Sequence, residues 1–204
     1  MIYIYGDSHA LFSFNNLKLE HMNLYCFSIT MNRIGRDNII INLKESDENS
    51  VICLVYGEVD CRCHIKRQIN IGRDEDEIIT ELVDKYFLSI KNNIKKYKYI
   101  IVVGIIPPRE QEDYEKLHGP ITHEFPFVGT DQERIRYTYK VNKLLQEYCN
   151  KYNYIYFNPY SYYENDKKCL NVEDSDTIVH LKNNSYFLEQ FNILYKNKIL
   201  KDKT

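Results

Sequence analysis

The sequence predicts a single α/β domain, a three-layer α/β/α sandwich around a central, mainly parallel five-stranded sheet. Three observations lead there. Five short apolar runs punctuate the chain, each ending at Gly, Pro or a polar turn. Amphipathic helical patterns lie between several of them, so strand and helix alternate. The runs are continuous, as expected for strands buried on both faces of a helix-covered parallel sheet. The length of 204 residues suits one domain over 1–204, since domains run to ~100–200 residues.

Taken in order, Ile2-Tyr3-Ile4-Tyr5 is the first strand and stops at Gly6. Leu24 to Ile29 is the second. Val51 to Tyr56 is the third and ends at Gly57. Tyr99 to Ile106 is the longest and ends at Pro107-Pro108. Tyr154 to Phe157 is the fifth and ends at Asn158-Pro159. Asp74 with Glu77 has the spacing of a capping box. It precedes a stripe of Ile78, Ile79, Leu82, Val83, Tyr86, Phe87 and Ile90. Thr130 with Glu133 repeats that signal before Ile135, Tyr139, Leu145 and Tyr148. Phe187, Phe191, Leu194 and Tyr195 mark a last helix. Asn38 to Lys44 reads equally as strand, from its Ile run, or as helix, from its place between two strands. Arg109 to Phe127 reads as a long loop at a strand end.

Composition excludes several classes. Hydrophobic residues make up 44% and charged residues 27%, which is globular usage. Lys and Arg number 27 against 29 Asp and Glu, so no basic footprint for nucleic acid covers the surface. No apolar run approaches the ~18 residues of a membrane span. The N-terminus lacks the basic start and long apolar core of a secretion signal, so a cytoplasmic protein with reduced thiols is expected. Cys26 and Cys53 lie in apolar runs. Cys61-Arg62-Cys63-His64 has one residue between its cysteines, closer than the usual zinc spacing, and no second cluster completes a ligand set. No metal is expected.

Chemistry concentrates where strands end, which is where sites lie in such sheets. Gly6-Asp7-Ser8-His9 follows the first strand. A serine at a strand-to-helix turn presents its hydroxyl beside the free N–H groups of the helix start, which can hold an oxyanion. Asp7 or Ser8 could equally be a simple helix cap. Gly57-Glu58-Val59-Asp60-Cys61-Arg62 follows the third strand. Asp176-Thr177-Ile178-Val179-His180 precedes the last helix, and an Asp shortly before a His suits a base held by a carboxylate.

These blocks resemble the SGNH (GDSL-type) hydrolases over nearly the whole chain. Gly6-Asp7-Ser8-His9 is similar to the first block, which makes Ser8 the nucleophile. Gly35, in Asn32-Arg33-Ile34-Gly35-Arg36, is similar to the second-block glycine, whose N–H joins that of Ser8 in the oxyanion hole. Gly57-Glu58-Val59-Asp60 falls on the third block, and Asp176 and His180 on the fifth, as acid and base. A subgroup with Gly-Glu-Ile/Val-Asp-Cys-Arg-x-His is more similar still. Pro107-Pro108 and Phe127-Val128-Gly129-Thr130 also match it. Two departures stand out. Val59 occupies the place of the oxyanion-hole Asn and cannot donate a hydrogen bond. The acid and base are spaced Asp-x-x-x-His in place of Asp-x-x-His.

The resemblance implies a serine esterase acting through an acyl-enzyme on a small acyl ester, an acetyl on a carbohydrate foremost, with no cofactor. Arg62 is the candidate replacement donor, or else an ion-pair partner of Glu58 or Asp60. Glu58, Asp60, Arg109 and His123 are candidate substrate contacts. Tyr160, Tyr162 and Tyr163 are a weaker signal for sugar stacking. An O-acyltransferase acting on glycans would use the same residues. A non-catalytic glycan- or partner-binding module is the reading Val59 favours. A nucleotide-binding reading of the fold lacks a Gly-rich phosphate loop after the first strand. The expected partners are a small-molecule or glycan ester, with neither nucleic acid nor membrane; the oligomeric state stays open.

Overall fold

The computed structural model describes residues 1–25, 29–38, 48–122 and 124–203. Its sheet contains β1 (Ile2–Gly6), β2 (His21–Tyr25), β3 (Val51–Val55), β4 (Tyr99–Val103) and β5 (Ile155–Phe157). Their order is β2-β1-β3-β4-β5, and every pairing is parallel. The order reverses direction between β1 and β3, so the crevice above those two carboxyl ends is the expected ligand position. The Ser8 and Glu58 motifs follow those two strands.

Both sheet faces are covered, and the strand residues alternate between two cores. Tyr5, Ile52, Leu54, Ile100 and Val102 pack under α4 (Glu75–Asn93) and α6 (Asp131–Tyr152). Ile4, Val51, Cys53, Val55, Ile101 and Val103 pack with α1 (Ser8–Ser13) and α7 (Ser185–Tyr195). Period-2 geometry sends successive residues to opposite layers, so both layers demand apolar side chains and the runs read as continuous. The other helices are α2 (Met31–Asp37), α3 (Ile65–Asn70) and α5 (Gln111–His118). A π-helical turn, Asp60–His64, runs into α3. No helix among the described residues is long and apolar enough to cross a membrane.

The helix signals behave as their chemistry dictates. At α6, Thr130 and Glu133 form the full reciprocal capping box. At α4, the Asp74 carboxylate accepts from the Asp76 and Glu77 N–H groups. β2 begins earlier than its apolar run, at His21, because an edge strand with one neighbour tolerates the polar His21 and Asn23. β4 ends at Val103, before its run does. The next residue, Gly104, lies against Asn158, where an added Cβ would come within 2.4 Å of the Asn158 side chain. The segment 109–127, expected to be loop, contains α5. Residues 39–44 and Cys26 lie outside the described residues. Cys53, Cys61, Cys63, Cys149 and Cys169 are free thiols and buried.

Candidate active site

Ser8 is placed by the tightness of the turn that carries it. Gly6 ends β1 so close to β3 that a Cβ would lie 2.7 Å from the Val55 carbonyl oxygen and 2.4 Å from Ala10 Cβ. Asp7 caps α1 by accepting from the His9 N–H at 2.9 Å. Ser8 thus starts the helix, with its own N–H in the first turn, where no intrahelical acceptor exists.

His180 and Asp176 reach Ser8 from the far end of the chain. His180 Nε2 lies 2.8 Å from Ser8 Oγ, and His180 Nδ1 lies 2.7 Å from Asp176 Oδ2. The second carboxylate oxygen of Asp176 accepts the backbone N–H groups of Ile178 and His180, at 2.9 and 3.0 Å. The Asp176 N–H in turn donates to the His180 carbonyl at 3.0 Å, and Ser175 bridges to Leu181. This closed loop absorbs the extra residue of the Asp-x-x-x-His spacing. Thr177 takes a left-handed conformation, φ 71°, which is costly for a β-branched side chain. His118 on α5 braces it, with Nε2 3.0 Å from the Thr177 carbonyl oxygen. Phe12 stacks on the His180 ring at 4.3 Å between centroids. Burial lowers the His180 pKa; Asp176 opposes that shift, and the charge of His9 reinforces it.

A cavity of about 230 Å³ opens over Ser8 and His180. Ile29, Val59, Ile121, Phe125 and Ile178 give it apolar walls, and Thr30 and Arg62 also line it. Val59 thus lines the same cavity as Ser8. Arg62 forms one of the two arrangements the sequence allowed, the ion pair with Glu58. Its Nε donates to Glu58 at 2.8 Å and its Nη1 to the Phe125 carbonyl, yet it lines the cavity. Those two bonds do not use Nη2.

Several expected contacts turn out to be scaffolding. Gly35 sits inside α2, away from the cavity. An added Cβ there would meet Lys85 Cβ at 2.7 Å, so the glycine lets α2 approach α4. Its N–H belongs to the helical ladder. Glu58 is buried and faces inward, with Oε2 3.0 Å from His9 Nε2. Asp60 is also fully buried. It accepts the first free N–H groups of α2, from Met31 at 2.9 Å and Asn32 at 3.2 Å, and holds His64 Nδ1 at 3.0 Å. The π-helical turn rotates it inward. Arg109 is 1% exposed, does not line the cavity, and its guanidinium has no hydrogen-bond partner among the described residues. His123 lies outside the described residues. Tyr160 and Tyr163 are buried, and Tyr162 stacks on Tyr186 at 3.9 Å. In the Cys61-Arg62-Cys63-His64 turn, the Cys63 thiol donates to the Val59 carbonyl and His64 is taken by Asp60.

Beneath the site lies a buried chain of charges, Asp7, His9, Glu58 and Arg62. The His9 and His180 rings are 4.9 Å apart. Burial works against charge on His9, but Glu58 and then Asp7 override it and raise its pKa. Burial pushes Asp7 up to about 6, with His9 acting against the shift. The direction matters. A carboxyl whose folded value exceeds its unfolded value of ~3.9 holds its proton more tightly when folded, so it costs stability as pH rises through that window. Asp7→Asn keeps an oxygen to cap α1. It is expected to raise stability by about 2 kcal/mol at pH 8 and to change it little at pH 4. Urea unfolding midpoints at the two pH values are the check; an equal effect at both would assign it to packing.

No protein-family model and no curated protein matches the chain. Solved structures do. A GDSL-like lipase from Bacteroides thetaiotaomicron superposes with a TM-score of 0.55 at 14% identity, covering 98% of this chain and 88% of that one. A member of the lipolytic G-D-S-L family from Veillonella parvula gives 0.54 at 16% identity, covering 95% of each chain. A catalytic mutant of an acetylxylan esterase from Geobacillus stearothermophilus gives 0.58 at 11% identity, covering 96% of this chain and 92% of that one. The chain has the SGNH/GDSL hydrolase fold.

Proposed function

We propose that the protein is a serine esterase that removes a small acyl group, acetyl foremost, from a carbohydrate ester. The observation that carries this reading is the continuous hydrogen-bonded line Ser8–His180–Asp176 at the reversal point of the sheet. Ser8 Oγ attacks the acyl carbon while His180 Nε2 takes its proton. Asp176 holds Nδ1–H, which fixes the tautomer and stabilises the imidazolium. The Ser8 N–H at the start of α1 faces the developing oxyanion. With Val59 in the Asn position and Gly35 elsewhere, Arg62 Nη2 supplies the second donor. His180 then returns the proton to the departing sugar hydroxyl. Water, deprotonated by the same nitrogen, attacks the acyl-enzyme and releases the free acid. The cavity of about 230 Å³ with apolar walls suits a short acyl chain.

Fluorophosphonate labelling read by intact mass is the test. One adduct is expected on the wild type and none on Ser8→Ala. A folded wild type that takes no adduct would sink the mechanism and favour the binding-module reading that Val59 suggests.

A further inference from the structure

A second, larger cleft of about 480 Å³ adjoins the acyl cavity; Thr30 and Phe125 line both. Its size falls in the ~300–1,000 Å³ range of small-molecule sites. Its charge runs opposite to that of the chain. The protein carries a formal net charge of −2, yet Arg33, Arg36, Arg67, Arg73 and Lys85 line this cleft against three carboxylates. One of those carboxylates is the buried Asp60, already committed to backbone N–H groups and to His64. His64 lines the cleft as well. Burial opposes its charge, but the Asp60 hydrogen bond pushes its pKa up to about 10, so it is a cation at neutral pH.

The wall between the two spaces is pinned by cations. Arg62 donates to the Phe125 carbonyl and Arg67 to the Glu124 carbonyl. A carbonyl leaves the Arg67 charge uncancelled. The remaining cations sit in exposed pairs: Arg33 and Arg36 with Asp37, and Arg73 and Lys85 with Glu81. Such pairs contribute only ~0–1 kcal/mol, so an arriving anion can recruit the cations at little cost.

We propose that this cleft binds the alcohol portion of the ester, and that this portion is anionic: a glycan bearing carboxylate or phosphate groups beside its acylated hydroxyl. The proposal rests on Ser8 marking the acyl end. The acyl group enters the apolar cavity, the sugar passes Thr30 and Phe125, and its negative groups meet the guanidinium groups of Arg33, Arg36 and Arg67.

The test is titration calorimetry on Ser8→Ala, with three probes: oligogalacturonate, glucose 6-phosphate and a neutral xylo-oligosaccharide. One or both anions are expected to bind and the neutral sugar is not; which anion binds separates carboxylate from phosphate. Affinity is expected to fall at least ~tenfold between 20 and 500 mM salt, because screening shortens the reach of exposed charges. Arg33 and Arg36 are exposed, so their joint replacement, Arg33→Gln with Arg36→Gln, spares the fold. It is expected to weaken anion binding ~tenfold, the size of one charge-assisted hydrogen bond. Neutral sugar binding as tightly as the anions overturns the proposal, as does a failure of both anions to bind or an arginine pair without effect. The readout is binding to a protein without Ser8, so it is independent of turnover. A chain that takes the fluorophosphonate but binds no anion loses this inference alone.

Discussion

Asp176→Asn is expected to cut kcat/KM for a simple acetyl ester by ~10⁴-fold, the scale set when a triad histidine is left in the wrong tautomer. The reason is local. Asp176 Oδ2 is the partner of His180 Nδ1 at 2.7 Å, so Nε2 is free to face Ser8. An amide at position 176 can offer its NH₂ to Nδ1, which drives the ring proton to Nε2, where it cannot accept from serine. The other oxygen still receives the Ile178 and His180 N–H groups, so the loop keeps its shape. The unfolding midpoint should therefore move little while the rate collapses. The pH profile is a second readout. A base must be neutral to work, and the His180 pKa is lowered by burial, so wild-type activity should persist below the ordinary imidazole value of ~6.5. A rate loss matched by an equal loss of stability would mean that Asp176 only holds the loop together.

How much of this was legible follows from the range of the interactions. The strands were legible because both faces of each are buried, which forces apolar residues in succession. α6 was legible because Thr130 and Glu133 are three residues apart and cap each other. α5 was not. Glu110 at its start makes no side-chain cap, and none of its residues is buried, so neither signal is present. It is held by other contacts, such as the Gln111 N–H on Asp131 at 3.1 Å.

The site divides in the same way. Ser8 is marked by its neighbours in sequence, and so is the Arg62 pairing with Glu58, one helical turn apart. The inward turn of Asp60 is not marked, because a carboxylate after a strand reads as substrate-facing until the π-helical turn is seen. Gly35 fits a family position, but its missing side chain serves the approach of α4, fifty residues further on. The spacing of Asp176 and His180 looked one residue too long because a left-handed Thr177 leaves no trace in a linear pattern. His9 carries no signal of its own beyond the serine block, for its partner Glu58 is 49 residues away.

That last pair makes the second large prediction. Glu58→Gln is expected to destabilise the fold by ~3–5 kcal/mol at pH 7, since it removes the anion that pairs with the buried Arg62 and holds the buried His9, and leaves the guanidinium uncompensated. Burial alone would raise the Glu58 pKa, but Arg62 and His9 hold it well below the usual carboxylate range. A depressed carboxyl contributes stability above its unfolded value of ~4.3 and loses it as pH falls. The gap between wild type and variant should therefore narrow in acid, with the wild type the more stable form, whereas for Asp7→Asn the variant is the more stable one. Urea midpoints at pH 7 and pH 3.5 read it, and a gap that is constant in pH would deny Glu58 its charge. The substitution should also reach His180, the proposed base. His9 owes its raised pKa to Glu58 before Asp7. Without Glu58 its pKa falls, which weakens the positive charge 4.9 Å from the His180 ring. The His180 pKa then rises, and the acid limb of the rate profile moves to higher pH in the variant. Glu58 thus joins the block that carries Ser8 to the block after β3, and sets the charge beneath the His180 ring.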